Sequence, residues 1–137
     1  MNPSPELKDL VLRSYDAFAS GDAAFFDRFF SQREGVLYIG TDPQEWWTGY
    51  DTIARIFRAQ WQELGGVSLV GGDPQAYSDG TIGWVADRPT FRLPDGLEIP
   101  TRSTIVFARE DGAWKAVQMH VSIGVPNQDA VGQELPV

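Results

Sequence analysis

Apolar positions in the first part of the chain recur at helical spacing. Leu7, Leu10, Val11, Ser14 and Phe18 fall on one stripe with polar residues between them. Ser4-Pro5 just ahead reads as an N-cap followed by proline at the first helical position, where a missing N–H is harmless. Gly21 stops this helix. Asp22 caps a second, short one, whose two turns are crowded with Phe25, Phe26, Phe29 and Phe30. Val36 to Ile39 predicts a short strand and Gly40-Thr41-Asp42-Pro43 a turn. A third helix is expected from Asp51, because Ile53, Ile56, Phe57, Trp61 and Leu64 form one amphipathic face ending at Gly65-Gly66.

Beyond Gly66 the pattern changes to extended segments. Four are predicted: Val67 to Val70 and onward to Tyr77, Thr81 to Leu93, Leu97 to Arg109, and Ala113 to Ile123. Ser78-Asp79-Gly80, Pro94-Asp95-Gly96 and Glu110-Asp111-Gly112 separate them as hairpin turns. Gly124-Val125-Pro126-Asn127 ends the last strand, which leaves one domain over residues 1–125 and a loose tail over 126–137. Helices followed by a meander of antiparallel strands make an α+β fold. Strands this long must curl, and helices can cover only the concave face. The expected shape is a half-open cone, a curved antiparallel sheet wrapped around the N-terminal helices, with a pocket inside.

Composition narrows the function. The 137 residues carry a formal net charge of −8, which repels phosphate backbones and makes nucleic acid and anionic membrane poor partners. With no cysteine and a single histidine, disulfides, thiolate catalysis and Cys- or His-rich metal sites are not expected. No apolar run approaches a membrane span, and the first residues, Met1 to Glu6, lack a basic, apolar leader, so a cytoplasmic protein is expected. Five Trp, four Tyr and eight Phe point to an apolar cavity with aromatic walls, or to a core and subunit interface rich in rings. Phosphate loops, Ser–His–Asp arrangements and metal-ligand spacings are missing, so no cofactor and no metal are expected.

The order of elements and the residues at their turns resemble the nuclear transport factor 2-like superfamily, which includes the SnoaL-like cyclases, ketosteroid isomerase and the association domain of calcium/calmodulin-dependent kinase. The matching stretches are Ala19-Ser20-Gly21-Asp22, Gly49-Tyr50-Asp51, and Asp111-Gly112-Ala113-Trp114-Lys115 leading into Val117, His120 and Ser122. The resemblance implies a curved sheet around a long helix, a pocket between them, and a homodimer through the outer sheet face. It also shows departures. The isomerase tyrosine falls at Ser14, with Tyr15 one step away. Its base has a loose counterpart in Asp42, and its second acid falls at Thr104 or Ile105. Against the kinase association domain, Trp61 and Arg88 match pocket positions, while Ile105, Val121 and Ile53 stand where that pocket has charged or polar side chains. The resemblance thus implies a small apolar or aromatic ligand.

Strand parity assigns candidate roles. Lys115, Val117, Met119 and Val121 are expected on the concave face. Trp114, Ala116 and His120 are expected outside, where Trp114, Val106 and Ala116 form an apolar interface patch and His120 and Arg102 meet acidic groups. Ile105 and Phe107 face the pocket. Tyr15, Phe18, Tyr38, Ile53 and Phe57 join its wall, and Trp47, Trp61 and Trp84 form an aromatic collar. Asp42 and Asp87 are the candidate bases, Arg88 or Tyr15 the group that polarises an oxygen, and His120 a further titratable candidate near neutrality. Arg88, if inward, needs Asp42, Asp87 or a ligand oxygen; if outward, it lies on an edge beside Pro89. Two function classes follow. One is a cofactor-free isomerase, cyclase or dehydratase acting on a carbonyl-bearing metabolite. The other is a non-catalytic ligand-binding or oligomerisation module.

Overall fold

The computed structural model describes residues 1–137. In chain order the elements are β1 (Asn2–Pro3), α1 (Pro5–Ser20), α2 (Ala23–Phe29), β2 (Leu37–Ile39), β3 (Trp46–Thr48), α3 (Tyr50–Leu64), β4 (Ser68–Val70), β5 (Gln75–Ser78), β6 (Ile82–Asp87), β7 (Thr90–Arg92), β8 (Glu98–Pro100), β9 (Arg102–Glu110), β10 (Ala113–Ser122) and α4 (Asn127–Val131). The caps are local and form as their residues dictate. Ser4 accepts from the Leu7 amide at 3.3 Å and Asp22 from the Phe25 amide at 3.1 Å. Gly21 and Gly65 end α1 and α3 in the left-handed conformation. The third helix starts two residues earlier than an Asp51 cap would place it, with Gly49 at the cap instead.

Seven strands form one sheet in the order β1-β5-β6-β9-β10-β2-β3. All neighbours run antiparallel except β10 and β2, whose Gln118, Met119 and His120 pair in parallel with Leu37, Tyr38 and Ile39. A second, three-stranded sheet, β4-β7-β8, is built from the pieces that the long predicted strands break into. Two of the three breaks, β6 to β7 and β8 to β9, sit at one corner. Pro89 has no N–H for the ladder, and the Thr101 amide and hydroxyl both donate to its carbonyl, at 3.1 and 2.7 Å. There the chain leaves the main sheet and folds over as a roof.

The core lies between α1, α2, α3 and the inner sheet face. Leu7, Ile53 and Phe107 have no exposed surface, and the rings of Phe26, Phe29 and Phe57 meet edge-on. Parity along β10 is broken by a bulge between Ala116 and Gln118. Trp114 and Ala116 are therefore buried on the same side as Val121, not outside as expected. The Arg109 guanidinium covers the Trp114 ring at 4.2 Å. Lys115, expected at the concave rim, instead donates to the Arg28 carbonyl. Trp46 and Trp47 lie in the short strand β3, and part of the predicted tail forms the short exposed helix α4. No helix is long and apolar enough to cross a membrane.

Candidate functional site

The curl of the sheet and the roof leave a cavity of about 360 Å³ over the inner face. Phe18 of α1, Phe26 and Phe29 of α2 and Phe57 of α3 wall one side. Met119 and Val121 of β10 form the floor, and Leu69, Phe91 and Ile99 of the small sheet close the top. Most of this lining is hydrocarbon, and its polar groups gather at two ends.

The inner end is built on α1 and the central strands. Tyr15 Oη donates to Asp87 Oδ2 at 2.6 Å, and Asp87 Oδ1 accepts the amides of Asp73 at 2.9 Å and Arg88 at 2.7 Å. The approach of Tyr15 to Asp87 requires Gly72: a Cβ there would run into the Asp87 carboxylate and stand 3.0 Å from the Tyr15 ring. Burial raises the Tyr15 pKa first, the hydrogen bond to Asp87 and its charge raise it further, and the nearby Ser103 hydroxyl works against them. Tyr15 stays protonated, with its proton committed to Asp87. Ser14, beside it, donates to the Val11 carbonyl at 2.6 Å.

The outer end is the mouth, between the β2–β3 loop and the last turns of α3. Glu45 folds over Gly40, where any Cβ would collide with its carboxylate, and faces Gln60, Glu63 and Leu64. Burial raises the Glu45 pKa, the Asp42 amide lowers it, the Asp42 charge raises it and Gln60 lowers it, with a net rise. The Tyr38 phenol is likewise raised, by burial and by the Glu45 charge. Its ring stacks on Trp47 at 4.7 Å.

Of the residues nominated from sequence, Tyr15, Phe18, Tyr38, Phe57, Met119 and Val121 line the cavity. Ile53, Ile105 and Phe107 lie in the core beneath it, and Trp47 is buried behind Tyr38. Trp61 packs on Phe18, Phe26 and Phe57 and lines a separate shallow crevice. Trp84 is on the outer face, stacked on Tyr77 at 5.1 Å, so no three-tryptophan collar forms. The reason is parity in β6, which turns Gly83, Val85 and Asp87 inward. The same parity leaves Arg88 exposed, without an ion pair and away from the cavity. His120 and Arg102 are exposed on the outer face and meet no acidic partner. Asp42 is an exposed turn residue that accepts from the Gln44 amide at 2.8 Å. Glu45, Gln60, Glu63 and Ser103 were not anticipated. A signal for Glu45 was available in Gly40, the one position of that turn without a side chain.

A family model described as a SnoaL-like domain matches residues 7–126. No curated protein matches the sequence. Among solved structures, a nuclear transport factor 2-like protein of unknown function from Pseudomonas putida is 13% identical, with 95% of this chain and 91% of that chain covered and a TM-score of 0.76. A protein of the same fold from Streptomyces avermitilis, provisionally described as a dehydratase, is 14% identical over 88% of this chain and 94% of its own, at a TM-score of 0.77. A Xanthomonas campestris protein, provisionally described as a calcium/calmodulin-dependent protein kinase II association domain, is 18% identical over 90% and 95%, at 0.69. At such identities the likeness is one of fold.

Proposed function

The chain belongs to the SnoaL-like domain family, and we propose that it captures a small, largely apolar or aromatic molecule in the cavity between α1, α3 and the two sheets, as a homodimer joined through its outer sheet face. One observation supports capture above all. An open space of about 360 Å³ is walled by rings and aliphatic side chains yet carries oxygens at both ends, a size and a lining typical of small-molecule sites. Left unfilled, it would deprive those rings of dispersion partners. The test is titration with a fluorescent apolar probe, alongside native mass spectrometry of the purified protein. One probe per chain is expected, and Val121→Phe, which fills the floor, should abolish binding while the protein stays folded. Unchanged binding by the folded variant would remove the cavity as the site.

A specific feature supports a second reading, cofactor-free proton transfer on the captured molecule, as in an isomerisation, cyclisation or dehydration. Glu45 is a carboxyl group with raised proton affinity facing the cavity, opposite the Tyr15–Asp87 pair. It takes the role that the sequence had offered to Asp42. Exchange of a bound molecule's acidic C–H in heavy water, followed by mass, should be fast in the native protein and lost in Glu45→Gln. Equal exchange in both would leave a binding module.

A further inference from the structure

The polar groups of the cavity bear on which ligand it suits. This inference rests on the capture reading above. At the inner end Ser14 donates to Val11 and Tyr15 to Asp87, which commits both of those protons. Thr41, Gln60 and Ser103, also in the lining, keep side-chain donors without a protein acceptor. Hydrogen bonding alone therefore does not select the ligand.

Charge does select one. The ionisable side chains lining the cavity are Tyr15, Tyr38, Glu45 and Glu63, all of them acids, and no Lys, Arg or His joins them. The mouth also lies at the C-terminal end of α3, the negative end of its dipole, whose last turn carries no basic residue. The rings of Tyr38, Phe57 and Phe18 line the same cavity, and aromatic rings attract cations. We propose that the cavity is built for an organic amine, its protonated nitrogen held at the mouth by Glu45 and Glu63 and its apolar body laid against the aromatic wall. Buried deeper, an ammonium would lose its hydration without repayment. At the mouth it keeps part of its water, since Glu63 is exposed and Glu45 half-buried. The net charge of −8 would draw such a ligand in from solution.

The test uses four probes on one ring system: naphthylethylamine, naphthylethanol, acetylnaphthalene and naphthylacetate. Each is titrated calorimetrically into the native protein at neutral pH, at low and at high salt. The amine should bind about tenfold more tightly than the ketone, with the carboxylate weakest. That advantage should shrink with salt and nearly vanish in the Glu45→Gln, Glu63→Gln double variant, which should keep its affinity for the ketone. Ketone or carboxylate binding as tightly as the amine, or an amine advantage that survives the double variant, overturns the assignment and leaves capture standing. If none of the four binds, capture itself falls and the assignment falls with it.

Discussion

Tyr15 and Asp87 meet across 72 positions of chain, and the bond joins α1 to the last residue of β6. Tyr15→Phe would leave Asp87 Oδ2 buried without its donor, a loss of about 1–3 kcal/mol. Urea unfolding should show a lower midpoint at unchanged slope; an unchanged midpoint would mean that water replaces the phenol. Gly72→Ala should be worse tolerated than a surface glycine change, because the added methyl enters the space shared by the pair. Alkali offers a second check. Tyr15 and Tyr38 are raised above their ordinary 10.0, and Tyr50 is pushed up to about 12 by burial and by its bond to Asp27. The unfolded chain releases these protons near pH 10 while the native one keeps them, so stability should fall as pH rises past that point. Glu45 works the same way lower down. Its native form holds its proton above the ordinary carboxylate range, so stability should slip as pH climbs out of that range, and Glu45→Gln should remove the slope. Thermal melts across pH that coincide for the two proteins would refute this.

At the scale of elements, the bulge at Val117 decides which side chains of β10 reach the interior. Deleting Val117 would restore simple alternation with Trp114, Ala116, Met119 and Val121 all still on the inner side, in the register they already keep on β9. The expected result is a protein that still unfolds cooperatively and keeps its near-ultraviolet circular dichroism; loss of both would show that the bend made by the bulge is itself needed. That bulge also marks the limit of what the sequence could reveal. Helix ends were legible because Ser4, Asp22, Gly21 and Gly65 act on neighbours a few positions away. Lining residues on regular elements, such as Phe18, Phe57 and Met119, were legible from period and parity alone. The break at Pro89 and Thr101 depends on a bond between two strands, and Trp84 pointed the wrong way because no periodicity says which face of a strand is inside. Glu45 was missed for a related reason: its direction is set by a turn, and Gln60 and Glu63 sat on the polar side of an otherwise well-read helix.

For the whole molecule, the outer sheet face carries Tyr77, Trp84 and Val106 in one register row, with Trp46 63% exposed at the far edge. An apolar row of this kind on an outer sheet face fits the proposed homodimer. Trp84→Arg, far from the cavity lining, should shift the protein to monomer in sedimentation while leaving probe capture intact. A native protein that sediments as a monomer at all concentrations would remove the dimer from the proposal.

The parallel contact between β2 and β10 has a consequence in time. A ribosome releases the chain from its N-terminus, so β2 and the loop bearing Glu45 emerge early, and the strand they must lie against emerges almost last. Until then Tyr38 and Trp47 have no floor to rest on, and their rings are exposed to other nascent chains. The mouth of the cavity is therefore the final part to be assembled, after the β5–β6–β9 meander has already paired. In nascent chains arrested on the ribosome before β10 has emerged, hydrogen exchange should find the amides of residues 37–39 unprotected, and protection should appear only in chains long enough to release residues 118–120; protection in the shorter chains would mean that the wall forms without β10.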